Sequence, residues 1–346
     1  MLTGSTIGSL TVGPKIGQGA FGEIYVVRNE SDNKLCALKV EPFSTKRKIL
    51  EFESNIIKKL HPSPFFPRFK AFGRIYSHSW LAMELLGPSL STVVKRLPNG
   101  KLSISSGLRV SDFILSGLEF LHDKGIIHRD VKPSNILLRR SREFPIAIID
   151  FGLSRVYVDK RTENHLPART HPGFRGTAVY ASPNAHMHME LSRRDDMISW
   201  FYLVLDMIDG PLPWKKIDSR AEIFLLKRRV SMASLGEAIA PQLGQIWSII
   251  NELNYEEKPN YNAIHSLLRQ AMTEKGVSDS DEWDWHPRIL HLDGNDETTM
   301  DPINEKGSSL SSEATQNEEG GSKKTLDNRP LINNANGNRC GCCRIV

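Results

Sequence analysis

The stretch His128-Arg129-Asp130-Val131-Lys132-Pro133-Ser134-Asn135 decides how the rest of this chain is read. Asp130 is a carboxylate that can orient a hydroxyl and accept its proton, and Asn135, five residues on, is an oxygen ligand for a metal ion. Fifteen residues past Asn135 comes Asp150-Phe151-Gly152, straight after the apolar, strand-like run Ile146-Ala147-Ile148-Ile149. Asp150 adds a charged metal ligand to the neutral one. A loop with a base and two metal ligands is suited to moving a group that carries negative charge.

Upstream, Gly17-Gln18-Gly19-Ala20-Phe21-Gly22 matches G-x-G-x-x-G, a pattern that dinucleotide-binding folds share. The context separates the two uses. A dinucleotide turn opens a helix, whereas here the apolar-rich run Glu23-Ile24-Tyr25-Val26-Val27 leads into a second strand. A glycine hairpin lying over phosphates is favoured, with a plain β-turn as the bland alternative. Lys39 ends Cys36-Ala37-Leu38-Lys39, a variant of the strand whose lysine holds α- and β-phosphates. It needs a carboxylate partner. On the helix expected from Ser44 to Leu60, Ile49, Phe52, Ile56 and Leu60 form an apolar stripe, and at about 100° per residue Glu53 lies beside it while Glu51 points away. An inward carboxylate is unfavourable unless paired, so Glu53 is the expected partner. Transfer of a phosphoryl group needs positioning and charge neutralisation more than covalent help, and these groups supply both.

Composition agrees with a globular enzyme. The chain has 346 residues, 39% of them hydrophobic and 25% charged, with a net charge of +5. That charge is compatible with acidic substrates and does not call for nucleic acid. Of the 4 cysteines, Cys36 lies in an apolar run and reads as a buried thiol, while Cys340, Cys342 and Cys343 crowd the last seven residues. This is no disulfide framework, and it fits a reducing, cytoplasmic compartment. The start shows neither a secretion signal nor a glycine for myristoylation, and no stretch is apolar for the ~20 residues of a membrane span.

Strands are expected around Leu10-Val12, Glu23-Val27, Leu35-Val40, Ala71-Tyr76 and Trp80-Glu84, and helices around Leu108-His122, Ile198-Ile208 and throughout 221–274. Asp284-Trp285-His286-Pro287 reads as the last anchored segment, and residues 288–346, rich in Asn, Ser, Glu and Gly, as a disordered tail.

Taken together, Lys132-Pro133-Ser134-Asn135, Gly176-Thr177-Ala178-Val179-Tyr180-Ala181-Ser182 and Ser192-Arg193-Arg194-Asp195-Asp196 resemble the casein kinase 1 group of protein kinases, particularly its tau-tubulin kinase branch. The resemblance covers about residues 8–287. It implies an α+β, bilobed kinase fold, with a mainly-β N-lobe over about 8–86 and a mainly-α C-lobe over about 87–287. It implies ATP and Mg²⁺ as cofactors, and a monomer acting on Ser or Thr of protein substrates, since Lys132 matches the Ser/Thr pattern. Residues Gly17, Gln18, Gly19, Ala20, Phe21, Gly22 and Glu23 would cover the nucleotide. Ile16, Ile24, Ala37, Leu137 and Ile149 would sandwich adenine, and lobe packing is the bland reading of the same residues. Met83-Glu84-Leu85-Leu86-Gly87-Pro88-Ser89-Leu90 looks like the hinge, where the Glu84 and Leu86 backbones would hydrogen-bond the base. Asp196 would brace the catalytic loop.

Two departures stand out. Ala181-Ser182-Pro183-Asn184-Ala185 occupies the place of the usual Ala-Pro-Glu, which is a trait of the group. Val179 stands where the group commonly has an arginine that helps bind phosphorylated substrates, although Arg169 and Arg175 keep the segment basic. The run from Asp150 to Gly176, with Arg155, Lys160 and Arg161 as well, is either a substrate loop or a solvated one. The final cysteines have three readings: prenylation of Cys343, to which Arg344 and Val346 are a poor match; palmitoylation, giving a membrane anchor; or no modification. Rival classes fare worse. An inactive scaffold would lack Lys39, Asp130 or Asp150, and an oxidoreductase would follow the glycines with a helix.

Overall fold

The computed structural model describes residues 3–285, apart from 20, 21, 45–47, 76, 142 and 160. Six strands, β1 (Thr6–Ile7), β2 (Leu10–Gly19), β3 (Gly22–Asn29), β4 (Lys34–Pro42), β5 (Phe69–Ile75) and β6 (His78–Glu84), form one antiparallel sheet ordered β1-β2-β3-β4-β6-β5. Register assigns the faces. Ile24 lies opposite Lys39 and Lys39 opposite Leu81, while Val26 lies opposite Ala37 and Ala37 opposite Met83. Because side chains alternate along a strand, Ile24, Val26, Ala37, Lys39, Leu81 and Met83 share one face. Tyr25, Val27, Cys36, Leu38, Val40 and Ala82 share the other, where they join Ile7, Leu10 and Val12 in a buried cluster. Cys36 is a buried free thiol within it.

Helix α1 (Ile49–Leu60) starts five residues later than the apolar spacing suggests, and its inward face is rotated. Leu50, Glu53, Ser54, Ile56, Ile57 and Leu60 are buried, whereas Phe52 is 36% exposed. The helix start is held by Glu41, whose buried carboxylate accepts the Leu50 N–H at 3.1 Å and so satisfies one orphan donor of the first turn.

The rest is mainly helical: α2 (Leu90–Arg96), α3 (Ile104–Asp123), α4 (Pro183–His186), α5 (Arg193–Ile208), α6 (Arg220–Arg229), α7 (Met232–Ile239), α8 (Pro241–Asn251) and α9 (Tyr261–Glu274). Short strands β7 (Ile126–Ile127), β8 (Ile136–Leu138), β9 (Ile146–Ile148) and β10 (Arg155–Val156) pair as β7 with β10 and β8 with β9. Helix α5 is buried without interruption from Asp195 to Ile208, as expected of a helix that is central rather than amphipathic. Gly107 lets α3 approach it, since a Cβ there would lie 2.4 Å from Ile208 Cγ1, and the Trp200 indole donates to Ser111 O at 3.0 Å. The expected closing segment docks at the start of α3. Asp284 accepts from Ser103 N at 2.7 Å, Trp283 and Trp285 stack at 4.8 Å, and Arg109 lies 3.9 Å over the Trp283 ring. His286, Pro287, the tail and its cysteines 340, 342 and 343 lie outside the described residues. Among those described, no helix is long and apolar enough to cross a membrane.

Candidate active site

The β4 face that carries Lys39 meets α1 and the segment after β9. Lys39 is buried, with Nζ 2.6 Å from Glu53 Oε2 and 3.5 Å from Asp150 Oδ1. Burial alone would push its pKa down, but Glu53 and Asp150 outweigh that and hold the ammonium above its ordinary value. Glu51 points to the surface and pairs with Arg74 at 3.0 Å. The carboxylate facing inward on α1 is therefore Glu53.

Asp196, opening α5, organises the loop that holds Asp130. Its buried carboxylate accepts His128 N at 2.6 Å and Arg129 N at 2.7 Å, with His122 Nε2 at 2.9 Å. Arg129 takes a left-handed backbone, φ 68°, which these bonds support. Burial would raise the Asp196 pKa, yet His122, His128 and the backbone donors hold it below the ordinary value. Its contribution to stability is therefore present above the unfolded-state value of about 3.9 and is lost as pH falls through the depressed native value. Asp196→Ala would leave two buried backbone N–H groups unpaired, and we expect it to lower the unfolding free energy by about 3–5 kcal/mol at neutral pH. Denaturant melts of the two proteins measure this.

Within the loop, Asp130 Oδ1 accepts the Thr177 hydroxyl at 2.8 Å, Oδ2 lies 2.8 Å from Lys132 Nζ, and Lys132 also donates to Thr177 Oγ1 at 2.8 Å. Asn135 Nδ2 donates to Asp130 O at 2.9 Å, which leaves the amide oxygen as its ligand atom. Asn135 O in turn accepts Ile149 N at 2.9 Å, joining the loop to the residue before Asp150. Asp150 has a left-handed backbone, φ 67°, and Phe151 behind it is fully buried against Phe66 and His128.

The glycine hairpin is the β2–β3 turn, with Gly17 opposite Ile24, Gln18 opposite Glu23 and Gly19 opposite Gly22. Ala20 and Phe21 lie outside the described residues. Glu23 is held by Lys15 at 2.6 Å and by the Tyr25 hydroxyl at 2.6 Å, and Gln18 also accepts from Lys15. Gly22 is required by space, because a Cβ would sit 2.1 Å from the Val40 carbonyl oxygen. Gly22→Ala should displace the hairpin and raise KM for ATP by about tenfold, with little change in the peptide KM. Steady-state kinetics in both substrates check it.

Ile24, Ala37 and Met83 lie on the Lys39 face of the sheet, and Leu137 and Ile149, in and just after the β8–β9 hairpin, are half-buried. Ile16 is 44% exposed at the hairpin's edge. The linking segment is stapled at both ends. Arg139 Nε binds the Glu84 carboxylate at 2.9 Å and Arg139 Nη2 binds Phe66 O at 2.9 Å, while Gly87 N donates to Leu138 O at 2.9 Å. Among the described residues, no backbone–backbone hydrogen bond outside regular elements involves Leu86.

The residues fit a nucleotide-borne divalent cation. Asp150 Oδ1 is buried and accepts no hydrogen bond, its nearest cation being Lys39 Nζ. Among the described residues no group of three or more His, Cys, Asp or Glu is placed to hold a metal ion by itself. One carboxylate and one amide suit Mg²⁺, which is usually completed by phosphates and water. Thr177 is the contact that the sequence reading left without a role. Its approach depends on Gly176, φ 93°, where a Cβ would lie 2.7 Å from Arg129 O, and a strand-free segment offers no periodicity to reveal that.

A bilobed fold with a buried lysine–glutamate pair, an aspartate–lysine–asparagine loop and a second aspartate at the lobe junction is the arrangement of a protein kinase. The protein kinase domain family matches residues 10–275, so the chain belongs to that family. It is also 41% identical over 280 residues to a probable serine/threonine-protein kinase of Dictyostelium discoideum. That match takes in 80% of this chain and 56% of the relative, so the chain spans little more than half of that protein's length.

Proposed function

We propose that this chain is an ATP-dependent serine/threonine protein kinase that works with Mg²⁺. The observation that carries the proposal is the Asp130–Lys132–Thr177 triangle, with 2.8 Å between each pair. A lysine beside the catalytic carboxylate suits the short side chain of Ser or Thr, whose hydroxyl must come close to Asp130. The acceptor hydroxyl gives its proton to the Asp130 carboxylate as its oxygen bonds the γ-phosphorus. The bond to the β-phosphate oxygen breaks, and ADP leaves. Lys132 stabilises the negative charge in flight, and Lys39, held by Glu53, fixes the α- and β-phosphates. Asp150 and Asn135 would hold Mg²⁺, which neutralises phosphate charge when bound.

The finer reading is a kinase of the casein kinase 1 group and its tau-tubulin branch that prefers acidic flanks around the target residue. It is supported by the motifs from Gly176 to Asp196 and by a surplus of positive charge near Arg129. Burial and the nearby Arg169, Arg155 and Arg175 push the Arg129 pKa down to about 10, and Glu190 only partly opposes them. Glu190 itself pairs with Arg169, which leaves Arg175 the more available cation. A panel of Ser, Thr and Tyr peptides with neutral, acidic or phosphorylated flanks tests both levels. Phosphate on Ser or Thr with gain from acidic flanks supports them. Transfer to Tyr removes the first, and no gain from negative flanks removes the second.

A further inference from the structure

Lys227, in the last turn of α6, is only 5% exposed, and no ion pair to it forms among the described residues. Its Nζ donates to Ala178 O at 2.7 Å and Ala181 O at 2.6 Å, with His186 Nε2 at 3.4 Å. It also lies over two rings, 4.9 Å from the Tyr202 centroid and 5.3 Å from that of Trp214. Burying an amine is costly, and here burial pushes its pKa down to about 6. An apolar residue would fill the site without that cost. What it could not do is satisfy two carbonyls that belong to no strand or helix.

Those carbonyls lie in the turn that presents Thr177. Tyr180 N and Ala181 N both donate to Thr177 O at 2.9 Å, so Ala181 is tied at its N–H to Thr177 and at its C=O to Lys227. Between them, Val179 O accepts the Trp214 indole N–H at 2.8 Å. Ser182 and Asn184, within the stretch that occupies the place of the usual Ala-Pro-Glu, bond Asp195 Oδ1 at 2.6 and 2.9 Å. The turn is thus fastened from below by side chains, and Thr177 is fastened from above by Asp130 and Lys132.

We propose that Lys227 is a positioning residue for the phosphoryl acceptor. Its two-carbonyl clamp on Ala178 and Ala181 holds the turn that sets Thr177 against Asp130. The inference rests on the kinase reading for its functional consequence but not for its structural one. The test is Lys227→Met in the full chain, which keeps an unbranched side chain in the ring cage and removes all donors. Peptide kcat/KM should fall about tenfold or more, through peptide KM, while KM for ATP stays within about twofold. Hydrogen exchange at the Tyr180 and Ala181 amides should speed up, while that of α3 and α5 stays as in the native chain. Unchanged exchange at Tyr180 and Ala181 would overturn the clamp, whatever the activity. Equal losses in ATP and peptide KM, with faster exchange in α3 and α5, would overturn it in favour of general destabilisation. If the native chain transfers no phosphate, the kinase reading fails, and the exchange data still decide the clamp.

Discussion

Asp150→Asn is expected to lower kcat/KM for peptide phosphorylation by about 10³-fold or more without unfolding the protein. Burial would raise the Asp150 pKa, but Lys39, His128, the Gly152 N–H and Lys132 outweigh it and hold the carboxyl below its ordinary range. The group is therefore an anion at neutral pH with a buried oxygen that accepts no hydrogen bond. Asparagine keeps the shape and tolerates the left-handed backbone that Asp150 adopts, so the substitution removes charge and little else. Lys39 keeps Glu53 at 2.6 Å, which preserves the local fold. Activity measured across a Mg²⁺ titration, beside a thermal melt, separates the two effects. Activity within about tenfold of the native chain at saturating Mg²⁺ would remove Asp150 as the metal ligand.

Asp130→Asn should lower kcat by about 10²–10⁴-fold, the usual worth of a positioned general base, while ATP affinity changes by less than about twofold. The reason lies in the partners. Asp130 accepts from Thr177 on one oxygen, and its other oxygen faces Lys132 and, at 3.3 Å, the Asn135 amide. An amide in its place cannot accept from all of these, and whichever way it turns, its own N–H₂ meets another donor. It also cannot take the acceptor's proton. None of those partners belongs to the sheet face that carries Lys39, so nucleotide binding should survive. Calorimetric titration with a non-hydrolysable ATP analogue, beside turnover, measures the split. A kcat loss matched by a loss of nucleotide affinity would point to a structural role.

The parts of the site legible in the sequence were those set by short-range spacing. Asp130, Asn135 and Asp150 lie in one run, and Lys39 ends a strand whose period of two assigns its face. Glu53 was legible for a different reason, since only one glutamate of α1 falls near the apolar arc. The arc itself was misjudged. Leu50 and Ile57 are as apolar as Ile49 and Phe52, so the sequence offered a broad apolar surface whose centre depends on what packs against it. The sheet, the Lys39 ion pair and the Glu41 cap rotate it by roughly 60° and leave Phe52 outside. Thr177 and Lys227 were silent for a third reason. Lys227 is 49 residues from Ala178, and Thr177 is 47 from Asp130, so nothing local couples them.

Whether the Asp130 loop transfers the γ-phosphate of ATP to Ser and Thr is read by incubating a degenerate peptide library with γ-labelled ATP and Mg²⁺, side by side for the native chain and Asp130→Asn, and identifying the labelled amino acid. The native chain should yield phosphoserine and phosphothreonine in a Mg²⁺-dependent way, and the variant a signal at least about 10²-fold lower. Equal signals from the two proteins, or no transfer by a native chain that binds ATP, would contradict that role for the loop.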